Sequence, residues 1–371
     1  IYLKASDIHL EPMEDTMRVR FRVDGILKEF MKLPKGSAST VVSRIKIMAD
    51  MDIAEKRLPQ DGRVQLKIGQ SEIDLRCSSV PTIFGEKIVM RILDKTNMLI
   101  RLDHLGFCSA LLKEYKNLIG ISYGMILVTG PTGSGKTTTL YATLKEINTI
   151  EKNTITIEDP VEYVLEGINQ MGVNIKAGLT FASGLRSVLR QDPDIIMVGE
   201  IRDSETADIA VRAATTGHLV FSTLHTNDAA GALPRLIDMG VENFLVASAL
   251  SGVVAQRLVR KICPYCKETY QLLPTAPERL FLGFKDEKLI FYRGQGCKEC
   301  DNTGYKGRIA IQEILHVTSE MRELIMAKAS AENIKQLAIE QGMVPLREDG
   351  IRKALQGITT IEEVMRVAYT E

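Results

Sequence analysis

The sequence predicts an α/β protein whose largest part is a mostly parallel sheet covered by helices on both faces. Short apolar strands expected at 154–158, 195–199 and 219–223 alternate with helical segments, which is the pattern of such a sheet. A further buried strand, at 125–128, runs into a glycine-rich loop and then a helix. A smaller domain of mixed α/β character precedes this region, so more than one core is expected.

The composition is ordinary for a globular protein. Of the 371 residues, 45% are hydrophobic and 25% are charged, which is enough apolar material for more than one core. Lys+Arg and Asp+Glu are equal at 47 each, so net charge does not point to nucleic acid or to an acidic membrane. A DNA translocase stays open as an alternative, because charge can be segregated locally. No window of about 18 apolar residues occurs, so no bilayer-spanning segment is expected.

The start of the chain and its cysteines indicate how the chain continues and in which redox compartment the protein works. No signal peptide is recognisable, and the first residue, Ile1, lies within a pattern rather than at an initiator methionine. We interpret the chain as part of a longer protein that has a further N-terminal region. Four of its six cysteines form two CxxC pairs, which without an export signal favour a reducing compartment and a bound metal over disulfides.

Changes of pattern divide the chain into five parts. Alternation over 17–30 around Asp24-Gly25 predicts a hairpin, helical spacing follows over 38–52, and strand-like runs return over 63–93. The predicted parts are a small mixed α/β domain over 1–97, a linker over 98–109, the main sheet domain over 110–262, a cysteine-rich insert over 263–304 and a helical region over 305–371.

The glycine-rich loop Gly130–Thr137, GPTGSGKT, matches the phosphate-binding pattern GxxxxGK[ST] in full. Its glycines let backbone N–H groups converge on phosphates, and the helix that follows directs its positive end at them. Lys136 is expected to reach the β- and γ-phosphates, and Thr137 to ligate Mg²⁺. The alternative is a bare glycine-rich turn. We therefore predict ATP and Mg²⁺ as ligands, with contacts from Gly130, Thr132, Gly133, Ser134, Gly135, Lys136, Thr137 and Thr138.

Acidic residues end the next two predicted strands. Glu158 and Asp159 follow one apolar strand, at the sheet edge where ligands bind in doubly wound folds. Glu158 is predicted to polarise the attacking water as a general base, while Asp159 either joins it or caps the turn before Pro160. Glu200 ends the other strand. A magnesium-binding Asp would be expected at 199, where this sequence has glycine, so Glu200 is predicted to orient Mg²⁺ through water.

Two histidines flank the third strand, 219–223. His225 follows it at the ligand-binding end, among threonines, and is expected to sense the γ-phosphate by hydrogen bonding. His218 precedes the strand, and a structural role is an equally open interpretation.

Four segments in this order and at this spacing carry a family resemblance: GPTGSGKTTTLY, TITIEDPVEY, LRQDPDIIMVGEIRD and TGHLVFSTLHTNDA. They resemble the secretion ATPase superfamily of type IV pilus assembly, type II secretion and retraction ATPases. The small domain agrees through SDIHLEP, RFRVDG and EKRLPQDGR, so the resemblance covers nearly the whole chain. The tetracysteine insert is a feature of the assembly and type II branches and not of the retraction branch.

The resemblance implies a RecA-like core, a PAS-like small domain and a homohexamer that holds each ATP between the two domains. Arg76 and Arg91 match family arginines that clamp the phosphates as a two-part lid. Guanidinium groups suit this task because they stay charged and fork onto phosphate oxygens. Further matching arginines are expected around the nucleotide or the subunit interface: Arg186, Arg190, Arg202 and Arg235. For each arginine, a solvated surface charge is the alternative.

The cysteine pairs Cys263/Cys266 and Cys297/Cys300 predict a four-thiolate zinc site. Four thiolates leave no open coordination position, so the zinc is expected to be structural. The 30 residues between the pairs exceed the spacing of a compact ribbon, so further local structure is expected there. A redox pair and unliganded thiols are the alternatives, and Cys77 and Cys108 are expected to be small apolar residues of the core.

The resemblance implies that ATP hydrolysis moves the small domain against the core, and that six subunits act on an inner-membrane platform protein, with an adaptor, to add pilin to a fibre. The protein would then be cytoplasmic and peripheral at the inner membrane. Type II secretion is the alternative within the family. Outside the family, one alternative is a DNA-translocating or DNA-packaging motor, since RecA-like sheets occur in secretion motors and in nucleic-acid motors. A second alternative is a zinc-dependent binding module with a vestigial nucleotide site.

Overall fold

The computed structural model describes residues 5–68, 71–94, 101–272, 276–282 and 289–368. The chain divides into two compact units, residues 1–99 and 100–371. None of the helices within the described ranges combines the length and apolarity needed to cross a bilayer.

The first unit is a six-stranded antiparallel sheet with one helix. The strand order is β3-β2-β1-β6-β5-β4. The hairpin predicted around Asp24-Gly25 is confirmed, since both residues have positive φ in the turn between β2 and β3. The elements are β1 Ala5–Pro12, β2 Thr16–Val23, β3 Ile26–Pro34, α1 Lys35–Met48, β4 Gln60–Ile68, β5 Ser71–Thr82 and β6 Gly85–Asp94.

The two faces of this sheet differ sharply. Helix α1 packs its Val42 on one face, against buried apolar side chains of β1, β2 and β6 such as Leu10, Met17 and Ile88. Cys77 is buried on the same face, as expected, and burial raises the pKa of its thiol. Because side chains alternate along a strand, the neighbours of these residues project from the opposite face, which carries arginines paired with carboxylates.

The second unit is built on a seven-stranded sheet in the order β15-β12-β7-β11-β10-β8-β9. All neighbouring strands are parallel except β15, so the predicted mostly parallel sheet is confirmed. Every residue of the central strands β7, β10 and β11 is buried. The strands are β7 Gly124–Thr129, β8 Thr154–Glu158, β9 Asn169–Gly172, β10 Ile195–Val198, β11 Leu219–Leu224, β12 Leu250–Ile262 and β15 Tyr305–His316.

Helices cover both faces of this sheet. Leu111 and Tyr115 of α2 and Leu140 of α3 pack on one face, while Leu185 of α4 and Val211 of α5 pack on the other. Capping fixes where several helices begin: Asp203, for instance, accepts a hydrogen bond from the backbone N–H of Thr206. The helices are α2 Ser109–Ile119, α3 Lys136–Ile147, α4 Phe181–Val188, α5 Ser204–Thr215, α6 Ala232–Asp238 and α7 Asn243–Ala249.

The remainder follows β12. The gap between the cysteine pairs holds a two-stranded antiparallel sheet and a short helix, so the extra local structure expected there is present. The region predicted as helical from 305 begins with β15, which pairs along β12 and which the sequence patterns did not reveal. The additional elements are β13 Lys267–Gln271, α8 Pro277–Leu282, β14 Ile290–Gly294, α9 Ser319–Met326, α10 Ala331–Glu340, α11 Leu346–Leu355 and α12 Ile361–Ala368.

Candidate functional site

The glycine-rich loop lies between the end of β7 and the start of α3, as its pattern predicts. Three glycines, Gly130, Gly133 and Gly135, have φ of 148°, 80° and 88°, a region that other residues rarely adopt. A Cβ at Gly130 would stand 2.5 Å from the carbonyl oxygen of Gln256 and 2.6 Å from Ser134 Oγ. The loop conformation therefore depends on glycine at this position.

Strand β12 braces the loop from the side. Gln256 Nε2 donates to the Ser134 carbonyl oxygen at 2.7 Å, and Gln256 Oε1 accepts from Thr139 Oγ1 at 2.8 Å. The side-chain oxygen of Ser134 is buried and has no hydrogen-bond partner among the described residues. The sequence analysis missed Gln256, since no motif marks a residue more than 100 positions after the loop.

Lys136 is folded back onto its own loop. Its Nζ donates to the carbonyl oxygens of Gly130 and Pro131 at 2.7 and 3.2 Å. Burial lowers the pKa of this amine to about 8, and the nearby Glu200 carboxylate opposes that shift. The ammonium group is thus held by neutral carbonyls that an anionic ligand can replace.

Glu200 lies just past the end of β10, and its side chain is 20% exposed. One carboxylate oxygen is 2.5 Å from a terminal nitrogen of Arg202, and the other is 3.6 Å from Nε2 of His225. The Glu200 carboxylate therefore lies near three basic side chains, those of Lys136, Arg202 and His225. Lys136, Glu200, Arg202 and His225 are the predicted residues that the structure brings together.

The glycine at 199 has a local explanation. A Cβ there would lie 3.2 Å from the carbonyl oxygen of Ile157 and 3.4 Å from Cα of Glu158, at the end of the neighbouring strand β8. The carbonyl oxygen of Gly199 also accepts a hydrogen bond from Thr223 Oγ1 at 2.8 Å. An aspartate at 199 would crowd this junction.

Glu158, at the end of β8, lies in a different environment, because only 3% of it is exposed. Its carboxylate accepts hydrogen bonds from the Tyr141 hydroxyl, from Thr156 Oγ1 at 2.5 Å and from Gln170 Nε2 at 3.1 Å. Burial and this carboxylate both raise the pKa of Tyr141, a residue of α3. Glu158 is thereby tied to the helix that starts at the phosphate loop.

The other predicted residues of this unit are spread more widely. His218 Nδ1 lies 2.9 Å from the Ala213 carbonyl oxygen at the end of α5, which supports the structural interpretation. Asp159 is exposed and 3.9 Å from Arg202.

The remaining predicted arginines have different surroundings. Arg186 pairs with Glu205, and Arg190 donates to Ser187 Oγ at 3.4 Å. Arg235 is exposed with no side-chain partner in the described part of the chain.

Arg76 and Arg91 lie directly opposite each other on β5 and β6 of the first unit. The Nε of Arg91 donates to Oδ1 of Asp7 at 3.2 Å, and 58% of the Arg91 side chain is exposed. Arg76 is partly buried. Both project from the polar face of the sheet, opposite the apolar core formed with α1.

The four predicted cysteines converge. All four Sγ atoms lie within 4.8 Å of one another, and three of their separations are 3.7, 3.8 and 3.9 Å. Sulfurs around a tetrahedral ion with bonds of about 2.3 Å stand about 3.8 Å apart, so the cluster fits zinc. The thiols do not form disulfides. The backbone N–H groups of Cys297 and Gly304 also donate to Cys300 Sγ, which stabilises a thiolate there.

Comparison with known proteins gives one family and several close relatives. The model of the family described as type II/IV secretion system protein matches residues 1–366. The type IV pilus assembly ATPase PilB of Thermus thermophilus is 55% identical over 362 residues, which are 97% of this chain and 41% of that protein. Type II secretion system ATPase E of Vibrio cholerae is 52% identical over 363 residues, covering 98% of this chain and 72% of that protein.

Two solved structures are similar over nearly the whole chain. The pilus retraction motor PilT, solved with bound ADP, has a TM-score of 0.64 and 26% identity, covering 99% of this chain and 94% of PilT. The ATPase DotB of Legionella pneumophila has a TM-score of 0.72 over 100% of this chain and 93% of DotB, and its 21% identity supports the fold alone.

Proposed function

The chain belongs to the type II/IV secretion system protein family, and we propose that it is the ATP-hydrolysing motor of a type IV pilus assembly machine. The observation that carries the proposal is the arrangement around the phosphate loop, in a chain 55% identical to a pilus assembly ATPase: Lys136 is folded onto the loop, and Glu200 lies beside Arg202 and His225. Because the chain spans only part of its relatives, activity, partners and location all belong to the proposal.

The loop binds the triphosphate of ATP in this proposal. Backbone N–H groups of the loop surround the phosphates, and Lys136 leaves the Gly130 and Pro131 carbonyls to pair with the β- and γ-phosphates. Bound Mg²⁺ would neutralise charge on the transferring group. The hydroxyl of Thr137 and the carboxylate of Glu200 are the groups suited to hold it. The loop residues that contact phosphate are Gly130, Thr132, Gly133, Ser134, Gly135, Lys136, Thr137 and Thr138.

We assign the task of orienting and activating water to Glu200 rather than to Glu158. A general base needs a carboxylate oxygen that water can reach, and Glu200 is partly exposed whereas Glu158 is buried with its oxygens hydrogen-bonded. His225, 3.6 Å from Glu200, would report the presence of the γ-phosphate. Glu158 would instead hold α3, and hence the loop, through Tyr141.

Arg76 and Arg91 would clamp the phosphates, since the two residues are directly opposed on neighbouring strands and project from one polar face. Closing on ATP and reopening after hydrolysis would move the small unit, and six subunits in a ring would pass this movement to an inner-membrane platform protein. Arg202 would act beside Glu200. The remaining predicted arginines, Arg186, Arg190 and Arg235, would serve the subunit interface. This arrangement is cytoplasmic and peripheral at the inner membrane.

A purified-protein assay tests the catalytic part. The chain is expected to release phosphate from ATP in the presence of Mg²⁺, and the Lys136→Ala variant is expected to lose both ATP binding and hydrolysis. Binding of ATP without hydrolysis, in a folded and assembled sample, would contradict the proposal and favour a vestigial site. Stimulation by DNA would instead revive the DNA-translocating alternative.

Type II secretion is the second candidate, because a type II secretion ATPase is 52% identical over the same region. Deletion of the gene in its host separates the two. Loss of surface pili with normal protein export supports pilus assembly, and the reverse result supports type II secretion.

The cysteine cluster is proposed to bind one structural Zn²⁺. Purified protein is expected to contain about one zinc per chain by elemental analysis, and replacing Cys266 and Cys297 with serine should abolish this zinc and lower the melting temperature. The matched control is Cys108→Ser, which removes a partly buried thiol outside the cluster. Metal content unchanged by the cluster substitutions would exclude the site.

A further inference from the structure

Three arginines form one row across the polar face of the first unit. Arg63 of β4 is directly opposite Arg76 of β5, which is directly opposite Arg91 of β6. Directly opposed side chains on one sheet face are neighbours, and like charges in such positions are destabilising. The outer two of these arginines are accordingly paired with carboxylates.

The motif EKRLPQDGR positions the first of these arginines. Gln60 donates to the carbonyl oxygens of Asp52 and Glu55 at 3.0 and 2.8 Å and so closes the loop before β4. A Cβ at Gly62 would lie 2.1 Å from the carbonyl oxygen of Ala49, so only glycine allows this approach of β4 to the end of α1. The motif thus fixes the register that brings the next residue, Arg63, into the row.

Two buried carboxylates hold the ends of the row. Asp74, which is 2% exposed, accepts from Nε of Arg63 at 2.7 Å and from one of its terminal nitrogens. Asp7 accepts from Nε of Arg91 at 3.2 Å and lies 3.6 Å from Arg22. The side chains of Arg63 and Arg91 nevertheless remain 58% exposed.

The row can be reached by a phosphate from solvent. More than half of the Arg63 and Arg91 side chains is exposed, so each guanidinium group can meet a further anion beside its own carboxylate. Two strand spacings separate the outer members of the arginine triplet, about 10 Å. That length suits a polyphosphate chain better than a single phosphate group.

We propose that Arg63 is a third phosphate-binding arginine, which extends the Arg76–Arg91 clamp and selects the triphosphate of ATP over ADP. The inference rests on the proposed function of Arg76 and Arg91. Asp74 acts as a competing intramolecular anion: it holds Arg63 in position when no phosphate is bound, and the phosphate must draw the guanidinium away from it.

Equilibrium binding of a fluorescent non-hydrolysable ATP analogue and of fluorescent ADP tests whether Arg63 favours the triphosphate. The Arg63→Gln variant is expected to bind the ATP analogue ~10- to 100-fold more weakly, the range for one charge-assisted hydrogen bond, and ADP within about threefold of the parent. Asp74→Asn is expected to bind the ATP analogue a few-fold more tightly, about threefold, because the competing charge is gone. Arg57→Gln is the matched control, since Arg57 lies in the same motif but outside the row.

The double variant Arg63→Gln/Asp74→Asn separates binding from a structural role. It removes the charges of Arg63 and Asp74 at the same time, so no buried carboxylate is left without its partner. Weak binding of the ATP analogue by a folded double variant supports the proposal, whereas recovery of parental affinity means that Arg63 only neutralises Asp74. Normal binding by Arg63→Gln, with binding lost in Lys136→Ala, would sink this inference alone. No nucleotide binding by the parent would sink the proposed function.

Discussion

Two glutamates at the ends of neighbouring strands of one sheet, Glu158 at the end of β8 and Glu200 just past β10, have opposite surroundings. Glu158 is buried and its carboxylate is satisfied by neutral donors on Tyr141, Thr156 and Gln170. Glu200 is partly exposed, contacts Arg202 and His225, and raises the pKa of Lys136 against the effect of burial. The same sequence signal, an acid at the end of an apolar strand, thus yields a buried, hydrogen-bonded carboxylate in one case and a partly exposed, ion-paired carboxylate in the other.

The largest effect is expected from Glu200→Gln. Loss of a positioned general base typically costs about 10²- to 10⁴-fold in rate, so kcat for ATP hydrolysis should fall by that order while an ATP analogue still binds. Phosphate release and analogue binding, measured on the same sample, check both parts. A variant that hydrolyses ATP at the parental rate would remove Glu200 from catalysis.

The same substitution at Glu158 is expected to act on stability. The amide NH₂ of glutamine would face donors where the carboxylate now accepts, so the free energy of unfolding should fall by about 1–3 kcal/mol. Denaturant unfolding measures it, with Glu200→Gln as the matched control, expected within about 0.5 kcal/mol of the parent. If Glu158→Gln leaves stability unchanged and abolishes hydrolysis, the two roles are reversed and the general-base prediction from the sequence is right.

The pH dependence of ATP binding tests whether Glu200, and not Glu158, affects the pKa of Lys136. Because burial lowers the pKa of Lys136 to about 8 and phosphate favours the charged amine, the affinity for an ATP analogue should fall on the order of tenfold between pH 7.5 and 9. Glu200 raises this pKa, so Glu200→Gln should move the loss of affinity to lower pH, whereas Glu158→Gln should not. Titrations across this pH range give both curves, and superimposable curves for all three proteins would show that Glu200 does not act on Lys136.

The smallest effect is expected from Tyr141→Phe. It removes one hydrogen bond to Glu158 and the acceptor for both the Glu162 backbone N–H and Gln170 Nε2. The free energy of unfolding should therefore fall by about 1 kcal/mol, with hydrolysis within about twofold. Tyr123→Phe, on an exposed tyrosine, is the control and should change nothing. A large loss of activity at unchanged stability would mean that Tyr141 positions a catalytic group.

Much of the fold was predictable because its signals are local. The strands at β7, β8, β10 and β11 are short apolar runs between helical segments, and the hairpin turn carries Asp24-Gly25. Strand β15 was missed since it forms along β12, and the pairing of two long antiparallel strands joins segments far apart in the chain. The clustering of the four cysteines was predictable from their spacing, because a four-thiolate site sets both the residue type and the number of ligands.

What the sequence determined by itself is the chemistry that contiguous residues supply: the glycines and Lys136 of one loop, the two CxxC pairs and the register of a hairpin. Tertiary structure alone decided which strand-end glutamate lies near enough to Lys136 to raise its pKa, that Gln256 braces the loop from 122 residues away, and that Arg63 shares a row with Arg76 and Arg91. The reason is physical. A motif specifies donors and acceptors, but burial and the charges of distant neighbours determine whether a carboxylate is an anchor or a reactive group.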